Sequence, residues 1–119
     1  MEQAFQIAES QTGGIPVVAA FGEIDVATAP PLRDRLQALI AGGSPTVVVD
    51  LLGVTFLDST ALGVLVGALK RCREGGGDLP LVITEPRLLK VFEITGLTGV
   101  FPIHSDVADA VAEAAGSAG

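Results

Sequence analysis

The sequence predicts an α/β fold: a mixed, mostly parallel sheet with an N-terminal antiparallel hairpin and about four helices, in the order β-β-α-β-α-β-α-β-α. Three observations carry this. Val47-Val48-Val49 is continuously apolar, as in a strand covered on both faces. Apolar residues at spacings of three and four mark helices between the strands, and such crossovers join parallel neighbours in a right-handed sense. Near the N-terminus, two apolar segments are separated only by turn residues, which makes a hairpin.

Taken in order, Ala4 to Glu9 alternates loosely and reads as a half-buried strand. Ser10-Gln11-Thr12-Gly13-Gly14 is turn chemistry, and Ile15 to Phe21 is the second strand, closed by Gly22-Glu23-Ile24-Asp25. Thr28 or Ala29 precedes a helix with Pro30 and Pro31 in its first turn, where proline's missing N–H costs nothing. Leu32, Leu36, Leu39 and Ile40 share one face of it, and Gly42-Gly43 stops it.

The run Val47-Val48-Val49 leads through Asp58-Ser59-Thr60 into a helix with Leu62, Leu65, Val66, Leu69 and Cys72 on its inner stripe. Lys70, Arg71 and Arg73 suit the dipole of its last turn, and Gly75-Gly76-Gly77 ends it. Leu79 to Thr84 is the next strand. Glu85-Pro86 opens a short helix with Leu88, Leu89, Phe92 and Thr95 inward, ended by Gly96. Val100 to Ile103 is a brief edge strand, and Ser105 is placed to cap a last helix through Val107, Ala110, Val111 and Ala114. One domain is expected over residues 1–115, with 116–119 a frayed tail.

Composition narrows the function. With 49% hydrophobic and 18% charged residues, the 119-residue chain can bury a core of Val, Leu, Ile and Ala; it has five Phe and no Trp or Tyr. A net charge of −7 disfavours nucleic acid and anionic membranes and suits a partner with a basic surface. One Cys excludes an intrachain disulfide, and one His with one Cys cannot build a zinc site. No signal peptide is visible in MEQAFQIAES, and the longest apolar run, Ala61 to Leu69, is about half a membrane span. These features point to a soluble, cytoplasmic protein without a cofactor or metal.

The chemistry concentrates at Ser59. A serine at the strand-to-helix junction sits at the carboxyl end of a strand, where partners dock in open α/β sheets. As an N-cap it would lie beside unpaired N–H groups that also stabilise a phosphate. On these facts alone, Asp58-Ser59-Thr60 reads first as a plain helix start.

Several landmarks in order resemble one family. They are Gly22-Glu23-Ile24-Asp25, then Val49-Asp50-Leu51 with Phe56-Leu57-Asp58-Ser59-Thr60, then Leu62-Gly63-Val64-Leu65 with Gly75-Gly76-Gly77, and finally Ile94-Thr95-Gly96-Leu97. Together they resemble the STAS-domain family, and most of all its free-standing anti-sigma factor antagonists. The resemblance implies a partner switch and no enzyme. Ser59 would be phosphorylated by an anti-sigma factor that is an ATP-dependent serine kinase; Thr60 is the alternative acceptor. The unphosphorylated form would bind that kinase and free its sigma factor, the phosphorylated form would let go, and a metal-dependent serine phosphatase would reset it.

The family usually has glycine where this chain has Ala61. Asp58 is placed to hold the junction, orient Ser59 or repel a phosphate, and Asp25 to contact the partner or cap its loop. With Thr60, Ala61 and Gly63 these complete the partner-binding set. The competing class is a STAS subunit of a lipid- or anion-transport assembly; a weaker one is a nucleotide-binding or sensory STAS domain.

Three other features carry competing readings. Gly63 and Gly67 form a GxxxG pattern that reads as close packing of helix on sheet, or as backbone exposed to a partner helix. His104 with Ser59 and Asp58 lacks the G-x-S-x-G elbow of a hydrolase. Cys72 reads as a core residue, with an intermolecular disulfide as the alternative.

Overall fold

The computed structural model describes residues 5–117. They form β1 (Gln6–Thr12), β2 (Ile15–Ile24), α1 (Ala29–Ala41), β3 (Val48–Leu57), α2 (Ser59–Glu74), β4 (Leu81–Val82), α3 (Pro86–Ile94), β5 (Ile103–His104) and α4 (Val107–Ser117). The sheet order is β1-β2-β3-β4-β5, antiparallel in the first pair and parallel in the rest. The predicted element order and mixed sheet are both present.

Several boundaries differ from the sequence reading, each for a local reason. The hairpin turn is only Gly13-Gly14, with Thr12 paired to Ile15. Both glycines have positive φ (59° and 80°), as a two-residue turn that matches the strand twist requires. Residues 10–12 therefore belong to β1, while Ala4 lies outside the described residues. β1 is also mostly exposed, with Ile7, and Phe5 just before the strand, packed on the core.

The strand predicted over Leu79 to Thr84 pairs only at Leu81 and Val82, since Pro80 offers no N–H to the ladder. β5 starts at Ile103 rather than Val100: Phe101 leaves the sheet edge to pack edge-on against Phe92, with centroids 5.8 Å apart. Thr95 is exposed and ends α3, its hydroxyl donating to the Val91 carbonyl at 2.7 Å. Asp106, not Ser105, caps α4 by accepting from the Asp109 N–H at 2.8 Å. That helix runs to Ser117, two residues into the expected tail, and residues 118–119 lie outside the described residues.

Because β2, β3, β4 and β5 are neighbours in sequence order, crossovers of one hand put α1, α2 and α3 on the same face. The main core lies there: Ile24, Leu32, Leu36, Val49, Leu51, Leu57, Leu65, Leu69, Leu81 and Phe92 are all essentially inaccessible. α4 covers part of the other face, where Ala110 and Val111 meet Val17, Val48 and Val82. Among the described residues, no helix is long and apolar enough to cross a membrane.

Cys72 is fully buried in the main core, which rules out the intermolecular disulfide in the native state. Burial pushes its thiol up to about 11, with the Asp78 carboxylate adding to the shift. It should therefore resist water-soluble disulfide reagents in the folded protein and react only as unfolding exposes it. The folded thiol keeps its proton to about 11 while the ordinary value is 9.0, so stability should fall as pH rises between the two. Denaturant titrations across that interval should show the fall in the wild type and a smaller one in Cys72→Ala.

Candidate functional site

β2 and β3 end side by side, and the site is the pair of loops that leave them. The Asp58 N–H donates to the Ile24 carbonyl at 3.1 Å, which ties the start of one loop to the end of the neighbouring strand.

The first loop is organised by Asp25. Its Oδ1 accepts from the N–H groups of Ala27 at 2.9 Å and Thr28 at 3.1 Å. In return the Asp25 N–H donates to Thr28 Oγ1 at 2.8 Å, and the Thr28 and Ala29 N–H groups reach the Asp25 carbonyl at 3.1 and 2.8 Å. The Thr28 hydroxyl lies 2.9 Å from the Glu23 carbonyl and 3.2 Å from Asp25 Oδ1, and its single proton serves one at a time. This reciprocal pattern resembles a capping box one turn ahead of α1, and Thr28 itself makes no side-chain cap bond. The N–H of Thr28, then that of Ala27, holds the Asp25 carboxyl below its usual value. Loop capping is thus the structural work of Asp25, and beside it Val26 stands 70% exposed.

The second loop is a single residue. Asp58 is extended (φ −104°, ψ −175°) and is the N-cap of α2, its Oδ1 accepting from the Ala61 N–H at 3.0 Å. The Leu62 N–H reaches the Asp58 carbonyl at 3.1 Å to close the first helical turn. The sequence pattern alone places the cap at Ser59. Aspartate and serine are equally good caps, and only the backbone angles decide between them.

Ser59 is the first residue of the helix proper, and both it and Thr60 are exposed. Among the described residues, the Ser59 hydroxyl has no hydrogen-bond partner. Asp58 satisfies the N–H of Ala61, so the N–H groups of Ser59 and Thr60 keep the free character of a helix start. This is an open hydroxyl beside partly positive backbone.

Ala61 departs from its expected role. It is 0% exposed, so its methyl fills the core below the junction and meets no partner. Gly63, in contrast, is exposed, as is Gly67, and a Cβ at either would meet nothing within 4 Å. Close packing of the GxxxG face on the sheet is therefore overturned. The inward stripe is Ala61, Leu65, Ala68, Leu69 and Cys72, and Gly63 lies about 200° around the helix from Ala61. The two glycines instead floor a shallow groove between α1 and α2, walled by Arg33, Gln37 and Arg71 and reaching Thr60.

His104 takes no part. It sits on the edge strand with β4 between it and β3, and its Nε2 is 3.1 Å from Glu113 Oε1. Among the described residues, no group of three or more His, Cys, Asp or Glu is arranged to hold a metal ion.

The STAS domain model matches residues 6–110 of the chain. An anti-sigma-B factor antagonist of Listeria monocytogenes is 38% identical over 105 residues, covering 88% of this chain and 91% of the relative. The protein of the same description from Bacillus subtilis is 43% identical over 84 residues, 71% of this chain and 76% of its own. The crystal structure of an anti-sigma factor antagonist from Mycobacterium paratuberculosis superposes with a TM-score of 0.86 at 29% identity, covering 93% of this chain and 94% of the other. The Bacillus cell fate determinant SpoIIAA in its phosphorylated form shares the fold, with a TM-score of 0.70 at 24% identity over 92% of this chain and 98% of its own.

Removing the cap should loosen the site in a measurable way. Asp58→Ala is expected to lower stability by about 1 kcal/mol in denaturant titration, while Asp58→Asn, which can still accept from the Ala61 N–H, should lose much less. Ala61→Gly should cost about 1 kcal/mol as well, from helix propensity and the lost buried methyl.

Proposed function

The chain belongs to the STAS-domain family, and on that premise we propose that it is an anti-sigma factor antagonist acting as a partner switch at Ser59. The observation that carries the reading is the exposed, unbonded hydroxyl of Ser59 on the first turn of α2, held in place by the Asp58 cap. The relatives named as antagonists match over most of their own length, so the reading applies to the chain as a unit.

In this reading the unphosphorylated protein binds an anti-sigma factor serine kinase through the two loops and the start of α2, and the kinase releases its sigma factor. Asp25 and Asp58 shape that surface, Thr60 and Gly63 extend it along the helix, and Ala61 supports it from below. The kinase then ends the complex. Ser59 Oγ attacks the γ-phosphorus of the kinase's ATP, the bond to the β–γ bridging oxygen breaks, ADP leaves, and the serine proton passes to a base on the kinase. This protein supplies only the acceptor.

Phosphoserine adds roughly two negative charges at a point of close contact. Its own fold tolerates them, because helix N-termini stabilise anions. The interface does not, since the phosphate must be desolvated there. Hydrolysis by a serine phosphatase restores the free hydroxyl. All these partners act in the cytoplasm, and so does the protein in this reading.

Incubation with the anti-sigma factor kinase of the source cell and ATP, followed by mass spectrometry, should place one phosphate on Ser59. Ser59→Ala should bind the kinase like the wild type and stay unmodified. Ser59→Asp should bind about tenfold more weakly or worse, at least about 1.4 kcal/mol. A phosphate on neither Ser59 nor Thr60, or equal affinity for wild type and Ser59→Asp, would contradict the switch. Co-purification with a membrane ATPase complex instead of a soluble kinase would favour the transport-subunit class.

A further inference from the structure

The geometry points to a second contact surface for the same kinase: an apolar patch of Phe21, Leu52 and Phe56 on the part of the sheet that α4 leaves open. The patch has an acidic border and fits a kinase surface that is apolar at its centre and basic at its rim. This rests on the partner-switch reading and extends it from the Ser59 junction to the back of the sheet.

The patch lies where β3 uses ten residues against eight of β2 over their paired span. Val17 to Ile24 on β2 pair with Val48 to Leu57 on β3, and the register shifts once between Ala19 and Phe21 and again between Gly22 and Glu23. Each shift places one extra residue on β3, and such bulges redirect side chains. Without them, strict alternation from Leu51 would turn Val54 outward; with them, Leu51, Val54 and Leu57 all face the main core. Leu52 and Phe56 are left on the outside, 46% and 48% exposed.

The first bulge is pinned by Asp50, whose Oδ1 accepts the Leu52 N–H at 2.9 Å. Phe21, 38% exposed, lies against the bare backbone of Gly53: a Cβ there would come within 2.3 Å of the ring. α4 reaches only the other half of this face, at Val17, Val48 and Val82. Three large apolar side chains therefore stand exposed over a short span of β2 and β3, and exposed apolar surface so concentrated ordinarily marks a contact.

Continuity and charge name the occupant. Phe56 is three residues before Ser59, at the end of the strand that leads into α2, so a partner gripping the Ser59 junction has the patch within its footprint. Glu23 is the register neighbour of Phe56, and Asp50 stands at the opposite end of the patch. On a chain of net charge −7, this border would set carboxylate against carboxylate in a two-fold contact between copies. A basic-rimmed partner gains from the same arrangement. Towards α3, Glu85 and Arg87 line the adjoining groove together and offset one another.

The test is titration calorimetry against the anti-sigma factor kinase of the source cell, with wild type, Leu52→Thr/Phe56→Thr and Glu23→Lys. Threonine keeps the strand preference while removing the apolar surface. The double variant should melt close to the wild type and bind roughly tenfold more weakly or worse. Glu23→Lys should weaken binding severalfold, with the difference shrinking as salt rises. It tests the border without removing apolar surface, so the proposal stays open to refutation even if the double variant does not fold. Wild-type affinity in both variants would overturn the patch while leaving the Ser59 reading intact. No binding by the wild type itself would overturn both. A wild-type dimer in sedimentation that the double variant abolishes would assign the patch to a second copy and overturn the proposal.

Discussion

The central strand β3 has to be hydrogen-bonded on both edges and covered along most of its length, and the rest of the molecule is arranged to meet that demand. β2 and β4 pair with it, Val49, Leu51, Val54 and Leu57 enter the main core, and Val48 enters the smaller one under α4. Where β3 ends, its chain has to turn at once into α2, because Ala61 and Leu65 are already buried. Asp58 makes the turn in one residue. It hands its N–H back to Ile24, takes the Ala61 N–H with its carboxylate and starts the helix with its carbonyl. The Ser59 hydroxyl is free because Asp58 has taken the structural work that a capping serine would otherwise do.

The same division of labour applies to the neighbouring loop. Asp25 is spent on the N–H groups of Ala27 and Thr28, which lowers its carboxyl and fixes the loop, while Val26 is left outward. A surface rigidly held by capping carboxylates is well suited to a switch: a phosphate can be added without unfolding what carries it. Ala61 fits this logic. Its methyl and its helix preference stiffen the junction from inside, and the position is unavailable to a partner.

The open part of the sheet shows what the bulges in β3 cost and what they permit. A strand that kept strict alternation from Leu51 would put Val54 on the outer face with Leu52 and Phe56. Two extra residues bring Val54 into the core, keep Leu57 there and leave Leu52 and Phe56 outside. A fold needing only stability has no evident use for that arrangement. An acidic protein that must hold a partner does.

Much of this was legible in the sequence. The apolar run at Val47 to Val49, the three-and-four spacing of Leu62, Leu65, Leu69 and Cys72, and the glycine stops determine the element order, because periodicity and backbone freedom are local properties. The order of landmarks around Ser59 was equally visible. The tertiary structure decided what depends on neighbours. Asp58 and Ser59 cap equally well in isolation, so the choice lay in the backbone angles imposed where β3 meets α2. Gly63 and Gly67 looked like packing residues until Ala61, Leu65 and Ala68 claimed the inner face. The register of β3 against β2 depends on two strands at once, and for that reason the apolar patch beside Ser59 could be found only in the folded chain.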